Sequence, residues 1–147
     1  MVIDKEDMLS VLEDFPKQCR DALTLAKGIT VPKEVTNVLV TGMGGSAIGG
    51  DLLKSYLSGS DLPVFVNRNY TLPSFVTENT LVFAVSYSGN TEETLAAVQE
   101  AKEKKAKVIG ITTGGKLEKE VETIIKIPSG LQPRAAIGYL FFPMLGL

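Results

Sequence analysis

NVLVTGMGGSAIGGD at 37–51 and TLVFAVSYSGNTEET at 80–94 share one layout, and this layout decides the fold. In each segment, an apolar run typical of a buried strand ends in a turn rich in glycine and serine, and the turn leads into a helical pattern. Strands that alternate with helices in this way form right-handed βαβ units and a parallel sheet. The almost unbroken apolar run at 80–86 is typical of a central strand that is covered on both faces.

The same periodicities predict three more strands and the helices that connect them. Gly59 is expected to end the first connecting helix as a C-cap, and Asn90 with Glu93 is expected to start the second as a capping pair. Helical patterns lie at 46–59, from 90 to about 105, at 114–121 and from 133 onward. The predicted strands lie at 37–42, 63–67, 80–86, 107–112 and 123–128.

A helical segment is predicted for residues 1–35. Asp4 is a candidate N-cap for one helix, and Pro16 suits the first turn of a second helix. Cys19 lies on the apolar stripe of this second helix, so we expect it in the core. The prediction is therefore an α/β fold, in which a doubly wound five-stranded parallel sheet over 36–147 carries the N-terminal helices packed on it.

The two glycine- and serine-rich turns are candidates for binding a phosphate group. A backbone that turns from a strand into a helix leaves unpaired N–H groups at the helix N-terminus, and these groups favour a bound anion with the help of the helix dipole. Glycines allow a ligand to approach the main chain, and hydroxyl groups add donors. Neither turn contains Lys or Arg, so we expect dipoles and hydroxyls to hold a sugar phosphate. The candidate hydroxyls belong to Ser46, Ser86, Ser88 and Thr91.

These turns come together under a flavodoxin-like strand order. In a sheet of order 2-1-3-4-5, the first and third strands flank the topological switch point, and both turns close on one small anion. A single hydroxyl before a helix more often caps that helix. Four hydroxyls on two neighbouring turns favour ligand contact for the set.

The composition excludes several classes of function. The sequence has no histidine, which removes Ser-His and Cys-His nucleophiles, His-ligated metals and imidazole acid-base catalysis. A net charge of −2 with scattered Lys and Arg argues against a nucleic-acid partner or an anionic membrane surface. The chain has one cysteine, no long apolar span and no signal-peptide layout. We therefore expect a cytoplasmic protein without a disulfide, a metal or a cofactor.

Two competing motifs fit the sequence less well. Gly42, Gly44 and Ala47 match the dinucleotide fingerprint, but the second predicted strand ends without the carboxylate that holds a ribose. Arg68 leaves NADP open as a ligand through its 2′-phosphate, although a dinucleotide site does not explain SYSGNT. The G-x-S-x-G elbow of serine hydrolases is incomplete in both turns.

The last eleven residues, 137–147, are mostly apolar. A soluble chain seldom ends on so much apolar surface. We therefore expect either that the chain is a fragment of a longer one or that this segment packs in an oligomer. The alternative is a C-terminal helix buried in the core of its own domain.

Three segments together resemble one family. TGMGGSAIGGD, SYSGNTEET and PRAAIGY are similar to the bifunctional phosphoglucose/phosphomannose isomerases of the sugar isomerase (SIS) superfamily. SYSGNTEET alone indicates a SIS domain, and PRAAIGY narrows the resemblance to this branch. The similarity spans nearly the whole chain but only the N-terminal half of such an enzyme. Residues 36–147 are therefore expected to be its first SIS domain, with the second one absent.

The resemblance implies a dimer with two SIS domains per chain, which interconverts glucose 6-phosphate or mannose 6-phosphate with fructose 6-phosphate through a cis-enediol. It also implies that Arg134 is catalytic, because a planar cation that stays protonated can stabilise negative enediolate oxygens. The alternative for Arg134 is a surface or salt-bridging arginine. The implied substrate-binding residues are Gly45, Ser46, Ser86, Ser88 and Thr91.

In this family, the catalytic glutamate and the ring-opening histidine lie beyond the point where this sequence stops. The 147 residues are therefore expected to bind a sugar phosphate without isomerising it efficiently. The competing function is a SIS module that senses a sugar phosphate and regulates a partner. Arg134 favours the enzyme, because a sensor needs the phosphate turns but no charge beside the reacting carbons.

Overall fold

A five-stranded sheet forms the centre of the protein, for which the computed structural model describes residues 4–5 and 7–147. The strands are β1 Asn37–Thr41, β2 Val64–Asn67, β3 Thr80–Val85, β4 Lys107–Thr112 and β5 Thr123–Lys126. Every neighbouring pair is parallel, and the order across the sheet is β2-β1-β3-β4-β5. The predicted doubly wound fold and its strand order are confirmed, and each strand lies within its predicted run.

Helices cover both faces of this sheet. They are α1 Met8–Glu13, α2 Phe15–Thr24, α3 Gly45–Tyr56, α4 Glu92–Glu103, α5 Gly115–Glu120 and α6 Ile137–Leu145, with a 3₁₀ turn at Pro133–Ala135 before α6. Alternate side chains of β3 point to opposite faces: Phe83 clusters with Leu140 of α6, and Val82 clusters with Ala97 of α4. All six residues of β3 are buried, as expected for a central parallel strand.

The predicted end of the first connecting helix is wrong. α3 stops at Tyr56, and Gly59 does not adopt the left-handed conformation of a glycine C-cap. Ser60 instead donates both its N–H, at 3.0 Å, and its hydroxyl, at 2.8 Å, to the carbonyl oxygen of Leu57. A serine therefore satisfies the backbone just beyond this helix, and the helix ends three residues earlier than predicted.

The predicted cap of α4 is also wrong. The helix begins at Glu92 with Thr91 as the preceding residue, and Asn90 makes no capping bond to it. The Asn90 side chain accepts the N–H of Lys116 at 3.1 Å and donates to the carbonyl of Ser88 at 3.2 Å. A tertiary contact with the start of α5 thus takes the place of the local cap.

The predicted N-terminal helical segment contains two short helices, although residues 1–3 and 6 of it lie outside the described residues. The carboxylate of Asp4 accepts the N–H groups of Leu9 and Met8, each at 2.9 Å. These hydrogen bonds, that of Leu9 first, lower the pKa of Asp4. Asp4 therefore satisfies the first N–H groups of α1, but the predicted N-cap position is wrong, because Asp7 is the residue that directly precedes the helix.

The buried face of α2 differs from the predicted apolar stripe. Gln18 and Ala22 are buried, whereas Leu23 is 43% exposed. Cys19 is only partly buried, and this burial raises the pKa of its thiol. The core prediction for Cys19 is therefore correct only in part, because the helix turns a glutamine toward α6.

The apolar C-terminal segment packs into the core of its own chain. Tyr139, Leu140 and Met144 of α6 are buried, and the helix lies against α2 and α3. A Cβ atom on Gly49 would lie 2.7 Å from the carbonyl oxygen of Leu140, so α3 and α6 approach closely. The helix is thus largely buried against its own domain, which was the alternative predicted for this segment. Within the described residues, no helix has both the length and the apolar character needed to span a membrane.

Candidate functional site

The two glycine- and serine-rich turns lie side by side at the carboxyl edge of the sheet. The first turn, residues 42–46, follows β1, and the second turn, residues 86–91, follows β3, which is paired with β1. A Cβ atom on Gly42 would lie 2.7 Å from the carbonyl oxygen of Val85, so a larger residue does not fit there. Since α3 and α4 cover opposite faces of the sheet, these turns flank the topological switch point.

The first turn presents polar groups that are not used within the described part of the chain. Gly44 has φ 52° and ψ −126°, a conformation that favours glycine, and α3 begins at the next residue. Ser46 is 8% exposed, yet its hydroxyl has no hydrogen-bond partner among the described residues, and neither has the N–H of Gly45. No acidic residue lies in the first turn of α3. These donors and the helix dipole are therefore available to an anion.

The second turn uses its hydroxyl groups internally. The hydroxyls of Ser86 and Thr91 are hydrogen-bonded at 2.8 Å, and the N–H of Gly89 donates to the Ser86 hydroxyl oxygen at 3.0 Å. Ser88 accepts the N–H of Asn90 at 3.2 Å. Only one of the two protons of the Ser86–Thr91 pair lies in the bond between them, so one proton remains to be donated. The turn is therefore preformed and still has a hydroxyl donor.

A third loop, residues 112–115, supports the second turn, and the sequence-based predictions did not include it. A Cβ atom on Gly89 would lie 1.8 Å from the carbonyl oxygen of Gly114, so the two backbones are in contact. Thr113 donates its N–H at 3.1 Å and its hydroxyl at 2.8 Å to the carbonyl of Tyr87. The signal for this loop was the glycine pair Gly114 and Gly115, one residue after the end of β4.

Arg134 lies at the same edge of the sheet as both turns. It is in the 3₁₀ turn before α6, where a Cβ atom on Gly45 would be 3.5 Å from the carbonyl oxygen of Pro133 and 3.7 Å from the Cα of Arg134. The Arg134 side chain is exposed, and no carboxylate in the described residues pairs with it. The fold thus brings the PRAAIGY segment next to the first turn and leaves the guanidinium without an ion-pair partner there.

Charge is distributed unequally around the two turns. Glu92 and Glu93 lie in the first turn of α4, where they oppose the attraction of the helix N-terminus for an anion. Their negative charges, that of Glu93 first, raise the pKa of the nearby Tyr70. The first turn and Arg134 therefore form the more electropositive side of the candidate site.

The competing motifs find little support in this arrangement. Arg68, which left NADP open as a ligand, forms an ion pair with Asp51 of α3. The strand order is that of the flavodoxin-like fold rather than of the Rossmann fold. Within residues 4–5 and 7–147, no three His, Cys, Asp or Glu side chains are grouped to hold a metal ion.

A lysine-rich cleft lies at the opposite, amino edge of the sheet. It has a volume of about 430 Å³ and lies beside the starts of β4 and β5. Glutamate side chains share it with the lysines, so its charge is mixed. Its charged residues are Lys102, Lys105, Lys107, Glu120 and Glu122. This cleft is therefore a second place where an anion could be attracted, without the glycine turns.

Known proteins are similar to this chain over most of its length. The family described as "SIS domain" matches residues 33–138. A bifunctional phosphoglucose/phosphomannose isomerase of Caldicellulosiruptor bescii is 52% identical over 95% of this chain and 44% of its own length. A D-glucosamine-6-phosphate 4-epimerase of Sulfolobus acidocaldarius is 37% identical over 91% of this chain and 44% of its length. The chain thus spans less than half the length of these relatives.

A solved structure shows the same fold at low sequence identity. The C-terminal domain of glucosamine-fructose-6-phosphate aminotransferase from Francisella tularensis superposes with a TM-score of 0.72 over 99% of this chain and 50% of that one. The sequence identity is 15%, so this likeness concerns the fold alone.

Proposed function

Since this chain belongs to the SIS domain family, we propose that it is the sugar-phosphate-binding part of an aldose-ketose isomerase. The reaction is the interconversion of glucose 6-phosphate or mannose 6-phosphate with fructose 6-phosphate through a cis-enediol. The observation that carries this proposal is the position of Arg134, which has no ion-pair partner among the described residues, beside the first of two adjoining glycine- and serine-rich turns. Similarity to a phosphoglucose/phosphomannose isomerase over 95% of the chain supports the same reaction.

In the proposed site, the phosphate lies between the N-termini of α3 and α4. The N–H of Gly45 and the hydroxyl of Ser46 donate from the first turn, and the Ser86–Thr91 pair and Ser88 donate from the second. No lysine is required, because helix N-termini and hydroxyls together favour a phosphate dianion.

Arg134 acts on the sugar end of the substrate. When a proton leaves the carbon next to the carbonyl, negative charge develops on the enediolate oxygens, and a guanidinium next to them lowers the barrier. The chain contains no histidine and supplies no imidazole for ring opening. We assign the proton-transfer groups to the part of the longer relatives that this chain does not span, so these 147 residues bind the substrate without efficient turnover.

We also propose a cytoplasmic homodimer that binds neither nucleic acid nor membrane. The exposed apolar side chains of Ile48, Leu52 and Tyr56 recur every four residues along α3 and form a stripe that suits a second copy. The net charge of −2 does not suit a nucleic-acid or anionic-lipid surface. Sedimentation should show a dimer that Ile48→Lys dissociates, whereas the exposed control Leu12→Lys on α1 should not; an unchanged mass for Ile48→Lys would reject this interface.

The proposed domain division is an N-terminal helical segment over 1–35 and a SIS domain over 36–147. The family match begins at residue 33, which supports this boundary.

Isothermal titration calorimetry on this chain tests the binding proposal. Glucose 6-phosphate and fructose 6-phosphate should bind, and glucose should bind far more weakly, because each hydrogen bond to a charged phosphate contributes about 1.5 to 3 kcal/mol. Equal affinity for glucose and glucose 6-phosphate would reject the phosphate site. In the longer enzyme, turnover of fructose 6-phosphate supports the isomerase, whereas turnover of glucosamine 6-phosphate alone would favour the epimerase activity of the Sulfolobus relative.

A further inference from the structure

The buried glutamine of α2 makes two hydrogen bonds to the segment that carries Arg134. Gln18 is 6% exposed, its Nε2 donates to the carbonyl oxygen of Ala135 at 3.0 Å, and its Oε1 accepts the N–H of Gly138 at 2.7 Å. A buried amide that uses both ends in this way fixes its partners, because breaking either bond leaves a buried polar group unsatisfied.

The glycine of PRAAIGY is explained by this contact. A Cβ atom on Gly138 would lie 2.5 Å from the Oε1 of Gln18 and 3.0 Å from its Cδ. The N–H of Gly138 is one of the first N–H groups of α6, which have no partner inside the helix. Gln18 therefore caps α6 from another helix, and only a glycine leaves room for it.

A second side chain, that of Tyr87, binds the N-terminal end of the same segment. The hydroxyl of Tyr87, in the second turn, accepts the N–H of Leu131 at 2.9 Å and donates to the carbonyl of Pro128 at 3.2 Å. The backbone carbonyl of Tyr87 is itself held by Thr113. The segment between Leu131 and Ala135 is thus anchored at both ends by side chains far from it in sequence.

Arg134 lies between these two anchors. The preceding Pro133 contacts the first turn at Gly45, so a shift of the segment would move Arg134 relative to that turn. The Arg134 side chain has no ion pair with the described residues to hold it in place. Its position therefore depends on the backbone, and the backbone depends on Gln18 and Tyr87.

We propose that Gln18 and Tyr87 are positioning residues that hold Arg134 at the distance from the first turn at which it meets the charged oxygens of the substrate. This inference rests on the proposed role of Arg134. It also gives α2 a function in the site. This helix, which carries Gln18, lies outside residues 33–138 that match the SIS domain.

The test is calorimetry on this chain with two probes. Arabinonate 5-phosphate carries a carboxylate where the enediolate oxygens form, and inorganic phosphate has only the group that the turns bind. Gln18→Met keeps the side-chain length but removes both hydrogen bonds. This change should lower the affinity for arabinonate 5-phosphate about three- to tenfold and leave the affinity for inorganic phosphate unchanged. Tyr87→Phe should do the same. Gln99→Met is the control on an exposed site.

Combining these variants with Arg134→Ala separates positioning from general stability. If Gln18 and Tyr87 act through Arg134, neither substitution lowers the affinity for arabinonate 5-phosphate further in the Arg134→Ala background. The positioning role is overturned if the losses of affinity add to that of Arg134→Ala, or if they are equal for arabinonate 5-phosphate and inorganic phosphate. If Arg134→Ala weakens binding but neither positioning variant does, only this inference fails. If Arg134→Ala has no effect, the proposed role of Arg134 fails as well. Should Gln18→Met not fold by circular dichroism, Tyr87→Phe decides by the same criteria.

Discussion

The first and second turns look alike in sequence, but the structure gives their polar groups different tasks. In the first turn the Ser46 hydroxyl and the Gly45 N–H have no partner in the described chain, and α3 has no acidic residue at its start. In the second turn Ser86 and Thr91 bond to each other, and two glutamates begin α4. A glycine- and serine-rich turn is therefore not by itself a ligand contact. We infer that the first turn mainly binds and that the second mainly shapes the site.

The largest expected effect is the loss of stability when the second turn loses its glycine. Gly89→Ala places a methyl group 1.8 Å from a backbone oxygen at a residue with φ 70°, and we expect destabilisation of about 4 kcal/mol or more. Gly44→Ala in the first turn meets nothing within 4 Å, so only its backbone strain of about 1 to 3 kcal/mol should appear. Urea denaturation measures both, and equal losses would remove the distinction between a packed and an open turn.

If this chain is part of a full-length isomerase, Arg134 should affect turnover more than binding in that enzyme. If Arg134 stabilises the enediolate, Arg134→Ala should lower kcat about 100-fold or more with little change in KM. Arg134→Lys should recover little, because an ammonium cannot reproduce a planar two-pronged contact. Steady-state kinetics with fructose 6-phosphate checks this. A raised KM with intact kcat would make Arg134 a substrate-binding residue that complements the first turn.

Serine-to-alanine changes should separate the two turns at a smaller scale. Ser86→Ala breaks the bonds to Thr91 and to the N–H of Gly89, so we expect a stability loss of about 1 to 2 kcal/mol together with weaker phosphate binding. Ser46→Ala removes a hydroxyl without a partner in the described chain, so its stability should change by less than about 0.5 kcal/mol while phosphate binding weakens. Thermal unfolding with and without phosphate distinguishes the two variants, and a destabilised Ser46→Ala would show a structural role instead.

The smallest effect concerns the charge at the start of α4. Removing a carboxylate by Glu93→Gln should strengthen phosphate binding about two- to fivefold. The same change should lower the raised pKa of Tyr70 toward its ordinary value, because Glu93 is the main cause of the shift. Spectrophotometric titration of tyrosine absorbance gives the second readout. A Tyr70 pKa that does not move would place the glutamate charge too far away to matter.

The strands and the glycine turns could be predicted because both are local signals that repeat along the chain. The strand order was a hypothesis taken from the flavodoxin-like pattern, and the adjacency of the turns followed from it. The helix ends predicted at Gly59 and Asn90 were wrong because Ser60 and Lys116 supply competing hydrogen bonds. The bond to Lys116 joins residues 26 apart in sequence, so only the fold shows it. Gln18 was missed for a different reason. A glutamine on a helix predicts an exposed residue. Its partner Ala135 is 117 residues away in sequence, and only the fold brings the two together.

The most direct test of the phosphate site is amide NMR on this chain during titration with inorganic phosphate. If phosphate lies between the two turns, the largest chemical-shift changes will be at residues 45–47 and 88–92, and Ser46→Ala will reduce them without unfolding the protein. The lysine-rich cleft at the amino edge is the internal comparison. Changes confined to residues 102–107, with both turns unaffected, would reject a phosphate site between the turns.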